Sequence, residues 1–394
     1  MKTKTAITLK GLTWDHPRGY APLIEGASEY EKQHRRISIR WDRRSLREFG
    51  EAPIKQYVDR YDLLIVDHPF VGFAAAHGVL VDLAACLSEA EKEGFAGDSV
   101  GPSWQSYWYG GGLWALPIDA ATQVASYRSD LLLKFFAVVP QTFEEVLELG
   151  RKARAAGNFI VVPACPTDAI SLFFTLTANL GYPISEDSEE FVNDFVADEV
   201  LNYLHALISL AHFKSVDWNP IQVYDFMVSS SEAVYCPYGF GYSNYSRIGN
   251  SPRLKFTNAP AAGQRGCAGT MLGGTGVAVS RHSSHLPEAT AYAKWLAGPE
   301  HQKGTYFRKG GQPASLTAWT DHSVDTVADG FFSGTLRTLK TAYVRPRFDG
   351  FVRFFEAAGV RINRCLRGDL PDAELVQWLN ERYAAQRISA QPIA

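Results

Sequence analysis

The groups in this 394-residue chain that could break bonds are few and scattered. Five cysteines, Cys86, Cys165, Cys236, Cys267 and Cys365, contain no Cys-x-x-Cys spacing, so neither a zinc knuckle nor a redox pair is expected. Their odd number allows at most two disulfides within the chain; none is predicted, and the thiols read as small buried hydrophobes. Intact thiols would suit a reducing compartment. A thiol–imidazole pair would need Cys165, Cys236 or Cys267 beside His16 or His68, and nothing in the spacing demands it. No catalytic residue, metal or cofactor is therefore expected.

Groups suited to recognition are richer. From Trp104 to Arg128 four aromatics (Trp104, Tyr107, Trp108 and Tyr109) precede three glycines, a short strand running into Pro117, and a second strand, Thr122–Tyr127. Glycine admits the positive φ that a tight turn needs. Four aromatics are many for one loop to bury, so at least one, with Trp108 the candidate, should face a ligand, although packing is the commoner role for any single one. Asp119, just past a predicted hinge at Pro117, either points into a cleft or forms a hinge salt bridge.

These residues are placed by alternating elements. Ile7–Leu12 reads as a strand, Pro17–His34 as a helix, Ile37–Trp41 as a strand, Gly50–Arg60 as a helix and Tyr61–Val66 as a buried strand. This βαβαβ order implies a parallel sheet, whose ligands sit beyond the carboxyl ends of the strands. Trp14, Asp15, His16 and Arg18 follow strand one, and Asp67 and His68 follow strand three. Trp14 could stack on a sugar face or belong to the core. Asp15 and Asp67 could accept hydroxyl hydrogen bonds or cap the next helix, and Arg18 could clamp a carboxylate. Further on, Thr142 and Glu145 form a capping box for a helix ending near Gly157. Phe159–Val162 and Glu232–Cys236 read as strands, Asp168–Leu180 and Phe191–Phe213 as helices, and Gly273–Val279 as a glycine turn entering a strand.

The length exceeds what one core fills, so two α/β lobes are expected. A hydrophobic share of 46%, a charged share of 21% and a net charge of −3 give no polyanion-binding signal, so nucleic acid is not an expected partner. No apolar run is long enough to span a bilayer. The opening Met-Lys-Thr-Lys-Thr has the basic start of an export signal without its apolar middle, which leaves either a cytoplasmic site of action or a signal removed beforehand.

Several stations occur in one order: Asp62–Asp67 followed by Ala76–Leu83; Gly112-Leu-Trp-Ala-Leu-Pro117 with Tyr127–Leu132 and Val139–Val146; Glu232–Tyr238; and Gly274–Ser280 with Ala289–Leu296, Gly298–Gln302 and Gly311-Gln-Pro313. Together they resemble the family-1, carbohydrate-binding, maltose-binding-protein-like solute-binding proteins of ABC importers, along nearly the whole chain. Arg128 and Tyr238 stand where that family usually has Asn and Trp. The resemblance implies a two-lobed, type II periplasmic-binding-protein-like α/β fold whose hinge-linked lobes close on a ligand. Lobe 1 would comprise 1–117 and 268–315, and lobe 2 would comprise 118–267 and 316–394. It implies Tyr238 as the stacking aromatic of lobe 2, with Gly239 permitting close approach. Gly273 and Gly274 could offer backbone N–H donors or form an ordinary turn, and Arg345 could clamp an anion. The implied protein is a periplasmic monomer that binds a sugar or related polar solute and delivers it to ABC permease subunits. An organic anion, suggested by Arg18, Arg43, Arg128 and Arg345, and a cytoplasmic enzyme on the same scaffold are the alternatives.

Overall fold

The computed structural model describes residues 6–51, 53–135 and 138–390, so the reading of Met1–Thr5 lies outside the described residues. The strands are β1 (Ile7–Trp14), β2 (Ile37–Arg44), β3 (Leu63–Val66), β4 (Trp108–Tyr109), β5 (Gly112–Leu113), β6 (Leu116–Tyr127), β7 (Phe159–Ile160), β8 (Ala233–Phe240), β9 (Lys255–Thr257) and β10 (Leu272–Val279). The helices used below are α1 (Pro17–Gln33), α2 (Phe143–Ala155), α3 (Pro166–Leu180), α4 (Asp194–Leu210), α5 (Leu286–Ala297), α6 (Phe351–Leu366) and α7 (Asp372–Ala390).

The chain divides into two compact units, Met1–Ala120 with Gly273–Val324 and Ala121–Leu272 with Asp325–Ala394. The three crossings fall three, five and nine residues beyond the positions expected from sequence. The first differs because Pro117 does not interrupt a strand: it is the second residue of the twelve-residue β6. A proline so early in a strand costs little, since few ladder bonds precede it.

In lobe 1, β1 pairs in parallel with both β2 and β3, and β10 pairs antiparallel with β3. All four residues of β3 are buried, as a strand covered on both faces requires. Helix α1 starts at Pro17, whose missing N–H falls where none is needed. It buries Gly19, Leu23, Gly26, Ala27 and Tyr30, one face of a 3.6-residue period. The helix expected over Gly50–Arg60 is split: Leu46–Glu51 is helical and Ile54–Gln56 forms a 3₁₀ turn after Pro53. Proline removes a donor from a helix interior and ends it.

In lobe 2, β8 pairs antiparallel with β6 and in parallel with β7, while β9 pairs with β6. Helix α3 is buried from Asp168 through Asn179. It packs so closely on α6 that a Cβ at Gly359 would lie 2.4 Å from the Pro166 carbonyl oxygen. Phe173, Phe174, Phe191, Phe354 and Tyr383 form an aromatic core around these helices, with Phe173 stacked on Phe191, and Phe174 and Tyr383 edge-on to it. Thr142 caps α2 in the expected box, with the Glu145 N–H donating to its Oγ1 at 3.2 Å.

Candidate functional site

At the carboxyl end of β1 the lobe 1 residues are already engaged. Trp14 is 4% exposed and stacks on His16, with ring centroids 5.2 Å apart and an interplanar angle of 6°. Its indole fills the space a side chain would take at Gly19, where a Cβ would fall 2.4 Å from the ring. Trp14 is thus a core residue. His16, not Asp15, caps α1: its Nδ1 accepts from the Arg18 N–H at 3.1 Å. Burial, reinforced by the Arg18 charge, pushes His16 down to about 4, so it is neutral near pH 7. Asp15 pairs instead with Arg43 at 3.1 Å, both about half exposed.

Arg18 and Asp119 take each other. Arg18 Nε donates to Asp119 Oδ2 at 2.8 Å and Nη2 to Oδ1 at 2.5 Å, with both side chains almost wholly buried. Of the two roles open to Asp119, the structure supplies the salt bridge, and the same bond withdraws Arg18 as a carboxylate clamp. At the end of β3, Asp67 caps a 3₁₀ turn by accepting from the His68 N–H at 2.8 Å, and His68 Nδ1 lies 3.1 Å from the same carboxylate oxygen. The His68 ring meets Tyr107 edge-on at 6.4 Å.

The aromatic loop resolves into two classes. Trp104 and Tyr107 are buried, and Tyr107 donates its hydroxyl to the Val66 carbonyl at 3.3 Å. Trp108 and Tyr109 are half-buried and form β4, which turns into β5 through Gly110 and Gly111 at φ +54° and +83°. Two successive positive φ values make the type I′ turn that favours glycine.

Gly273 and Gly274 lie inside β10 rather than in a turn before it. Gly274 has φ +109°, and a Cβ there would sit 2.3 Å from the Asp119 carbonyl oxygen. It is glycine because β10 lies against the Asp119–Ala120 backbone of β6 at that point.

Lobe 2 displaces the leading sequence candidate. Tyr238 is wholly buried within β8, and its hydroxyl donates to the Pro260 carbonyl at 2.9 Å. No ring face is open for stacking. Gly239 is required by Tyr224, whose hydroxyl oxygen would be 2.5 Å from a Cβ there while donating to the Phe240 carbonyl at 2.8 Å. By sequence pattern this strand ends at Cys236, which puts Tyr238 beyond it. Because β8 continues to Phe240, the residues in that position are Gly241, Tyr242 and Ser243. Tyr242, the aromatic at that position, is buried and meets Tyr224 edge-on at 6.1 Å. Nearby Arg247 is pushed down to about 10 by burial. Arg345 is buried with its guanidinium 4.9 Å above the Phe355 ring. Arg128 is fixed by Asp130 at 2.8 Å and by the Met227 and Ser230 carbonyls.

Neither Cys165 nor Cys236 is activated as a nucleophile. Cys165 donates to Asp168 at 3.1 Å, and burial together with that carboxylate raises its pKa; burial pushes Cys236 up to about 12. A nucleophilic thiol requires the opposite shift.

Residues 29–326 match the family model for bacterial extracellular solute-binding proteins. The chain belongs to that family. The family consists of binding proteins rather than enzymes, which work with a small-molecule ligand and ABC permease components and are characteristic of the periplasm or cell exterior. Among solved structures, this solute-binding protein is similar to maltose-bound MalE3 of Thermotoga maritima, at 17% identity and TM-score 0.82 over 96% of this chain and 99% of that one. It is similar to the GacH receptor of Streptomyces glaucescens, also solved with acarbose, at 16% identity and TM-score 0.81 over 98% and 100%. It is likewise similar to a solute-binding protein of Agrobacterium radiobacter K84 in complex with ribitol, at 18% and 0.78 over 98% of each chain. The fold is thus bilobed, periplasmic-binding-protein-like α/β of type II, with a hinge region. No curated protein matches the sequence significantly.

Proposed function

We propose that this solute-binding protein captures a neutral sugar or related polyol outside the cytoplasmic membrane, as a monomer, and hands it to an ABC permease. One observation carries the choice of a neutral ligand. Of the four arginines that favoured an organic anion, Arg18, Arg43 and Arg128 are each bonded to a carboxylate within their own lobe. A paired guanidinium has little left to offer an anion. Maltose, acarbose and ribitol, the ligands of the three similar proteins, support the same reading.

Lobe 1 would contribute His16, Asp67, His68, Trp108 and Tyr109, at or near the carboxyl ends of β1 and β3, where ligands of such sheets bind. In lobe 2, Tyr242 would take the place of Tyr238 as the candidate aromatic. The neutral His16 imidazole and the Asp67 carboxylate suit hydroxyl recognition, since each can hydrogen-bond a hydroxyl without an anionic ligand. The lobes would divide at 120/121, 272/273 and 324/325.

Native mass spectrometry of the protein mixed with neutral sugars and polyols tests this. A 1:1 adduct whose ligand is recovered unchanged is expected. A ligand recovered as a reaction product would overturn the binding reading.

A further inference from the structure

Three helices of lobe 2 bring three different donor types to one point. His205 lies on α4, Cys365 is the penultimate residue of α6, and Asp372 opens α7. His205 Nε2 is 2.9 Å from Asp372 Oδ1, and Cys365 Sγ is 2.9 Å from the same oxygen. The nitrogen, sulfur and oxygen all lie within 4.8 Å of one another.

We propose that His205, Cys365 and Asp372 bind a divalent cation of the zinc class, with water completing a tetrahedral shell. Metal–sulfur bonds of about 2.3 Å and metal–nitrogen or –oxygen bonds of about 2.0–2.1 Å place tetrahedral ligands roughly 3.4–3.6 Å apart. The two 2.9 Å separations therefore need to open by only about 0.5 Å. The sulfur and imidazole select zinc, cobalt or cadmium over magnesium or calcium, which prefer all-oxygen shells.

The backbone prepares the site. Gly368, at φ +83°, donates its N–H to the Cys365 carbonyl, and Asp369 donates to the Arg364 carbonyl, so a fixed turn joins Cys365 to Asp372. Arg367, the cation on that turn, is occupied by Asn363, the Val216 carbonyl and Asp217. Cys365 is buried, whereas His205 and Asp372 are partly exposed and leave a path for entry. On binding, the Sγ–H bond breaks as the sulfur–metal bond forms, and the proton leaves to solvent. No oxidation state changes.

The test is a cobalt(II) titration of the reduced full chain, read by absorption. One equivalent should give a thiolate-to-cobalt charge-transfer band with the visible intensity of tetrahedral cobalt, and zinc should abolish both. Cys365→Ser should remove the charge-transfer band, while the exposed-thiol variant Cys86→Ser should retain it. His205→Ala, a change at a partly exposed position, should weaken zinc binding at least tenfold and cancel the rise in thermal midpoint that zinc gives the parent protein. Absence of the band at saturating cobalt overturns the proposal, as does its persistence in Cys365→Ser. Should that variant not fold, unchanged zinc affinity in His205→Ala overturns it instead.

Discussion

The Arg18–Asp119 pair predicts a measurable asymmetry between removing one partner and removing both. The two hydrogen bonds, at 2.8 and 2.5 Å, are bidentate, and the side chains are 3% and 2% exposed. Tyr306, also buried, lies near enough for both charges to bear on its hydroxyl, so water has little access. Asp119→Asn removes the negative charge and leaves the guanidinium buried against a group that can neutralise nothing. The expected loss is about 3–5 kcal/mol of unfolding free energy. Arg18→Met should cost a similar amount by stranding the carboxylate. Arg18→Met with Asp119→Leu removes both charges, and its loss should fall well below the sum of the singles, giving a coupling of about 3 kcal/mol. Urea denaturation of all four proteins, followed by tryptophan fluorescence, measures this. Single losses under about 1 kcal/mol that simply add would refute it, because that is how a solvated pair behaves. Such a result would also return Asp119 to the list of groups free to meet a ligand.

Three further outcomes follow from the same geometry. Tyr238→Phe should cost about 1 kcal/mol through loss of the Pro260 hydrogen bond and leave ligand affinity unchanged, whereas Tyr242→Ala should weaken affinity about tenfold or more; calorimetry showing the reverse pattern would contradict the reassignment. Burial raises the Asp168 carboxyl to about 7, so between roughly pH 4 and 7 the native state keeps a proton the unfolded chain releases. Stability from this group therefore falls, by roughly 4 kcal/mol, as pH rises through that window. His16, held at about 4 by burial, acts with the opposite sign, so the difference between the parent and Asp168→Asn across pH isolates the carboxyl; parallel profiles would disprove it. Gly274→Ala should destabilise lobe 1 by several kcal/mol, since its Cβ would meet the Asp119 carbonyl and its φ is left-handed, and an unchanged thermal midpoint would contradict this.

The lobes were legible because their signals are local. The βαβαβ order, the Thr142–Glu145 box and the apolar run at β3 each depend on neighbours in sequence. The site was less legible, because partner choice is tertiary. Arg18 and Asp119 are 101 residues apart, and nothing near either one announces the other. Tyr238 failed for a smaller reason: four residues of strand beyond Cys236 carry a Pro and a Gly, which ordinarily signal a turn. Gly239 and Gly274 look like ligand-approach glycines in sequence, yet each is fixed by a protein atom, the Tyr224 hydroxyl or the Asp119 carbonyl. The metal-type cluster was hidden because His205, Cys365 and Asp372 sit on three helices, and a spacing rule sees only one.

The central claim is that the ligand is neutral. Isothermal titration calorimetry of the purified protein against sugars and polyols, alongside the matching uronic and other organic acids, tests it most directly. Heat from at least one neutral ligand is predicted, with an affinity that holds when salt is raised, since no charge pairing is involved. Heat from the acids alone, lost at high salt, would contradict the account.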